Sequence, residues 1–141
     1  MAPAKRPTSV VLGVVLMVPV FLAWLAAGPA WMVVTSNMEG DGMILFWILG
    51  VAILALCLLL AFMAGAGMLQ AWRGQSMKIS IPAGFTLFLF FISVLNMIIN
   101  GKIDFAPSQL VPLVLGACAG AALFLLNGAS ASAWFARSGR R

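Results

Sequence analysis

The chain has 141 residues, of which 64% are hydrophobic and 8% are charged, and its mean hydropathy is +1.14. Soluble domains carry about 25% charged residues, so this composition excludes an ordinary soluble domain and is typical of an integral membrane protein. The formal net charge of +5 does not indicate a nucleic-acid partner, because no soluble segment is long enough to present a basic face.

Four apolar segments predict an all-α membrane protein with four transmembrane helices. A helix needs about 20 mainly apolar residues to cross a bilayer. Segments of about that length, free of Asp, Glu, Lys, Arg and His, cover residues 10–34, 43–69, 81–99 and 110–126. The loops between them are short, so we expect a single four-helix domain followed by a short cytoplasmic tail, 127–141.

The first segment has some features of a secretory signal, since the basic residues Lys5 and Arg6 precede its apolar run. Such signals have an apolar core of about 7–15 residues, whereas this run continues to Val34. Its length favours a permanent first helix.

The charged residues predict the orientation. Seven of the eight basic residues fall on one side of the predicted bundle, namely Lys5, Arg6, Arg73, Lys78, Arg137, Arg140 and Arg141. The other side holds the three acidic residues, Glu39, Asp41 and Asp104, together with Lys102. Because cytoplasmic loops carry the Lys/Arg excess, we expect both termini in the cytoplasm, and the composition suggests a bacterial inner (plasma) membrane.

Small residues at helical spacing predict close helix packing in spans two and four. Span four contains Gly116 and Gly120, and span two contains a comparable row, Cys57, Ala61 and Gly65. Residues four apart share one helix face, and small ones allow a second backbone to approach. The two faces are expected either to meet each other or each to receive another helix. The two cysteines are interpreted as small packing residues, with a disulfide or a soft-metal site as the alternative.

Span three carries the polar residues Thr86, Ser93, Asn96 and Asn100. At about 100° per residue they fall within one sector of the helix, which we expect to face protein or a cavity. Interhelical hydrogen bonding is the favoured interpretation, and a lining for a polar solute or water is the alternative.

Residue types on which catalysis and cofactor binding usually depend are missing from the chain or from its spans. The chain has no histidine, the commonest ligand of haem and metals, and no span contains an ionisable proton carrier. No histidine or buried carboxylate is available to activate a Ser, Thr or Cys nucleophile. We therefore expect neither an enzyme nor a resident cofactor.

These features favour a non-catalytic membrane subunit. It would pack into and stabilise a larger respiratory, photosynthetic or transport complex, with larger integral subunits and membrane lipids as its partners. The alternative is a self-assembling channel or facilitator for a neutral solute, lined by the polar stripe of span three. An intramembrane enzyme is a third hypothesis, which the missing acid–base pair disfavours.

Overall fold

Five helices form the protein in its computed structural model, which describes residues 6–37, 40, 42–75, 80–100 and 107–138. They are α1 (Thr8–Ser36), α2 (Met43–Trp72), α3 (Ser80–Asn100), α4 (Pro107–Asn127) and α5 (Ala129–Ser138). The first four are long and apolar enough to cross a membrane. The predicted all-helical architecture with four candidate spans is confirmed for the described residues, where no strand occurs.

The helices extend beyond the apolar segments that predicted them. Both α1 and α2 are about 45 Å long at 1.5 Å per residue, and α1 continues through Pro19 and Pro29. The first of these helices begins directly after Pro7, and the second begins after Gly42.

The segment after α4 forms a helix of its own. Gly128 separates α4 from α5, and its carbonyl accepts hydrogen bonds from the amides of Ala131 and Ser132. Three alanines among the first five residues of this segment favour a helix. The tail predicted from the sequence is therefore largely a short fifth helix.

Helix α1 lies at the centre of the arrangement. It packs most extensively on α2 and also packs along α4, while α3 and α4 form a second close pair. Helix α2 touches α3 only lightly, and α2 and α4 are not neighbours. The described core is made mostly of small side chains, joined by Val10, Met17, Val20, Leu60 and Leu126.

The start of α1, the end of α2 and the whole of α5 lie at the same end of the bundle. The guanidinium of Arg6 lies 4.2 Å from the centroid of the Trp72 ring, which is a cation–π contact. The hydroxyls of Ser9 and Ser130 are 2.9 Å apart and hydrogen-bonded, which ties α1 to α5. These contacts place Arg6, at the start of α1, at the same end of the bundle as α5.

Candidate functional site

The small-residue row of α2 packs against α1. A Cβ added to Gly28 of α1 would lie 3.2 Å from the Cβ of Cys57 and 2.8 Å from a methyl carbon of Leu54. Cys57 and Ala61 are buried, and the Cβ position of Gly65 lies 3.3 Å from the ring of Phe21. Gly28 therefore supplies the α1 side of this close approach, which was not recognised from the sequence.

The contact surface between α2 and α1, here called the α2 seam, follows a seven-residue repeat more closely than the spacing of four residues noted in the sequence. The buried residues Gly50, Cys57, Ala64 and Ala71 recur at every seventh position, and all are small. A seven-residue repeat keeps one stripe of a helix facing its neighbour when two helices cross at a shallow angle. This repeat is visible in the amino-acid sequence and is the signal that could have identified the seam.

The Gly-x-x-x-Gly pair of α4 packs against α3. Gly116 is buried, and a Cβ there would overlap the Cβ of Phe90 and lie 2.6 Å from ring carbon Cδ2. The second glycine is less confined, since its Cβ position lies 3.4 Å from a methyl carbon of Leu87, an ordinary contact. Of the two glycines, Gly116 is thus the one whose missing side chain allows α3 and α4 to approach.

Both small-residue faces are therefore covered within the chain. The alternative in which the faces of spans two and four meet each other is not observed, because α2 and α4 are not neighbours. Each face receives another helix instead: α1 in one case and α3 in the other. Cys57 and Cys118 lie on these separate helices as free thiols.

The polar stripe of α3 is divided between the interior and the outside of the bundle. Thr86 is buried, Ser93 is half-buried, and Asn96 lies on an exposed side of the single chain, where it makes a polar interaction. The side chain of Asn100 lies outside the described residues. Ten residues at about 100° each leave the helix about 80° short of three whole turns, which is why Thr86 and Asn96 do not share one environment.

Thr86 joins α3 to α1 through a hydrogen bond. The indole Nε1–H of Trp24 donates to Thr86 Oγ1 at 2.8 Å, and the hydroxyl in turn donates to the carbonyl of Pro82 at 2.8 Å. The Trp24 ring also contacts Phe85, with centroids 5.7 Å apart. The sequence did not identify Trp24 as the partner of Thr86, because the two residues lie in different spans.

An apolar crevice of about 170 Å³ lies beside this hydrogen bond, between α1, α3 and α4. Four α1 residues line it, Val20, Ala23, Trp24 and Ala27. The α3 residues Thr86 and Leu89 and the α4 residues Val111, Pro112 and Leu115 form its other walls. Val20 and Thr86 are buried at its base, whereas Ala27, Leu89 and Val111 are exposed, so the crevice opens at the surface of the bundle.

Among the described residues, no group of three or more His, Cys, Asp or Glu side chains converges to form a metal site. No protein-family model matches the chain, and comparison with curated proteins and with solved structures finds no match either.

Proposed function

We propose that the protein is a non-catalytic integral membrane subunit that packs into and stabilises a larger membrane complex. The observation that supports it is the uncovered face of α2. This 30-residue helix packs on α1 along one side and touches α3 only lightly. Several of its large apolar side chains are exposed over both halves of the helix, among them Ile44, Leu45, Ile48 and Phe62.

A long apolar helix held mainly by one neighbour is suited to contact a further membrane protein. Lipid tails are as apolar as leucine, so association depends on fitting surfaces and not on hydrophobicity. The light contact between α2 and α3 leaves a side of the bundle where a helix of a larger subunit fits against both.

The proposed orientation places both termini in the cytoplasm of a bacterial inner membrane. Three described arginines support it, since Arg6, Arg73 and Arg137 belong to the end of the bundle formed by α1, α2 and α5. The Lys/Arg excess of membrane proteins faces the cytoplasm, where these arginines would also meet anionic lipid head groups.

Site-specific photocrosslinking tests the subunit proposal. Benzoylphenylalanine replaces Phe62 of α2 or, as a matched control, Phe124 of α4, which are 73% and 80% exposed. We expect irradiation of native membranes to join position 62 to one larger protein, which also co-purifies with the wild-type chain in fixed stoichiometry by native mass spectrometry. Only lipid adducts at position 62, together with a lone chain after gentle extraction, would contradict the proposal.

Glycine substitutions are less direct tests of assembly. Gly116 packs on Phe90 within the chain, so Gly116→Leu would first disturb the contact between α3 and α4. Loss of the complex in this variant would then report a damaged subunit. Phe62 of α2 avoids this difficulty, because its side chain is 73% exposed.

The alternative is a channel or facilitator for a neutral solute, formed by several copies. It is favoured by the position of Asn96 on an exposed side of α3, above the half-buried Ser93. A polar path lined by these residues would therefore run between copies and not through one bundle. Asn96→Leu should abolish solute flux into liposomes while the oligomer persists, and unchanged flux would eliminate this alternative.

A further inference from the structure

We propose that the crevice between α1, α3 and α4 is a binding site for one phospholipid acyl chain. This inference does not depend on the role of the chain in a larger complex. It rests on the size, the chemistry and the depth of the crevice.

The volume of the crevice suits a short stretch of hydrocarbon. It measures about 170 Å³, and an apolar protein cavity of about 150 Å³ stays dry and binds benzene. Left empty, its walls would lose the dispersion contacts that a filling group supplies. The end of an acyl chain supplies such contacts on three sides, one for each helix.

The side chains that line the crevice favour an apolar ligand. The lining is aliphatic and aromatic, except for the hydroxyl of Thr86 and the indole Nε1–H of Trp24. These two groups are hydrogen-bonded to each other at 2.8 Å, and the hydroxyl donates to Pro82. A polar ligand would gain little here, since both donors are already satisfied and its own desolvation would not be repaid.

The depth of the crevice determines which molecules can reach it. Its α1 residues, from Val20 to Ala27, lie within about 8 Å of the middle of that helix, inside a hydrocarbon layer about 30 Å thick. The rim at Ala27, Leu89 and Val111 is exposed, and its three residues belong to three of the candidate spans. The abundant hydrocarbon at such depth in a bilayer is the acyl chain of phospholipids.

Two matched pairs of substitutions test the site. Ala27→Phe and Val111→Phe place a ring at the rim, whereas Ala26→Phe and Val114→Phe place the same ring on exposed positions that do not line the crevice. All four residues are exposed, so the variants are expected to fold. Circular dichroism and the elution volume in detergent check this before binding is measured.

The probe is a phosphatidylglycerol with a diazirine at the end of one acyl chain, mixed into phosphatidylethanolamine–phosphatidylglycerol vesicles that hold the purified protein. After irradiation, mass spectrometry should map adducts to peptides of α1, α3 and α4 that line the crevice. We expect these adducts to fall about tenfold in Ala27→Phe and Val111→Phe, a loss of about 1.4 kcal/mol in binding free energy, and to stay unchanged in Ala26→Phe and Val114→Phe.

Three results would overturn the proposal. The first is an even spread of adducts over all exposed faces, which indicates bulk lipid only. The second is equal labelling in the rim variants and their controls. The third is labelling that an added isoprenoid quinone displaces but an excess of unlabelled phospholipid does not, which would assign the crevice to a different hydrocarbon.

Discussion

Trp24 and Thr86 are joined by a hydrogen bond of 2.8 Å between the indole Nε1 and the hydroxyl oxygen. The bond connects α1 to α3, two helices that otherwise have little contact. Because the hydroxyl also donates to the carbonyl of Pro82, it is engaged both as an acceptor and as a donor. The pair therefore fixes the relative position of two helices across the interior of the bundle.

Replacing Thr86 by valine should weaken the bundle. Valine keeps the shape of the side chain but leaves the indole N–H of Trp24 without its acceptor, at a cost of about 0.6–1.7 kcal/mol for interhelical hydrogen bonds in membranes. The free energy of unfolding, measured by titration with denaturing detergent in mixed micelles, checks this. Thr86→Ser keeps the hydroxyl and should stay close to wild type. A valine variant as stable as the serine variant would show that the bond contributes nothing.

The two glycines of α4 should respond differently to alanine. In Gly116→Ala the new Cβ overlaps Phe90, so α3 and α4 must separate, at a cost of about 1–3 kcal/mol for overpacking. In Gly120→Ala the new Cβ meets only an ordinary contact at 3.4 Å, and we expect little change. Thermal unfolding in detergent compares the two variants. Equal melting temperatures for the two single variants would contradict the geometry.

Cysteines at positions 9 and 130 should form a disulfide. The hydroxyl oxygens of Ser9 and Ser130 are 2.9 Å apart, which brings their Cβ atoms near the range that a disulfide requires. The variant Ser9→Cys/Ser130→Cys is prepared with Cys57 and Cys118 replaced by alanine, and mild oxidation is followed by a mobility shift after proteolysis between the two helices. Ser9→Cys/Ser132→Cys serves as the control, because Ser132 donates to carbonyls of its own segment. Equal oxidation of both pairs would show that α5 is not held against α1.

Labelling of single cysteines should reveal the orientation. Asn37 at the end of α1 and Ser132 in α5 are both exposed, and they lie at opposite ends of the bundle. With both termini in the cytoplasm, a membrane-impermeant maleimide added to intact cells should modify Asn37→Cys. It should modify Ser132→Cys only after the membrane is opened. The reverse pattern would invert the proposed topology and would remove the basic end from the cytoplasm.

The number and rough extent of the four candidate spans were predictable because hydropathy depends on short stretches of sequence. Each span needs only enough apolar residues to match the thickness of the bilayer, and the four helices found here contain the four predicted segments. Helix α5 was not predicted as a helix of the fold. Its ten residues are too few for a span, and in the structure it contacts α1, α4 and Gly74, which follows α2.

The contact between α2 and α1 was only partly predictable from the sequence pattern of α2. Small residues in α2 predicted that another helix approaches it closely. The seven-residue repeat of Gly50, Cys57, Ala64 and Ala71 is also visible in the amino-acid sequence. The sequence did not show which helix packs on this row, because the contacting residues Gly28 and Phe21 lie in a separate segment, α1. Gly74 is a similar case: it adopts φ +77° after α2 and lies against Ser138 of α5. The sequence alone marks it only as a loop glycine.

The amino-acid sequence by itself determined that this is a helical membrane protein with four apolar spans and small-residue faces on two of them, and it predicts that the basic residues collect on one side. Only the tertiary structure decided that α1 packs on α2 and α4, that Phe90 lies over Gly116, that Trp24 reaches Thr86, and that a crevice opens beside them. The reason is physical. In a bilayer nearly every face of a span is apolar, so no amphipathic pattern shows which face turns inward, and shape complementarity between distant segments makes the choice.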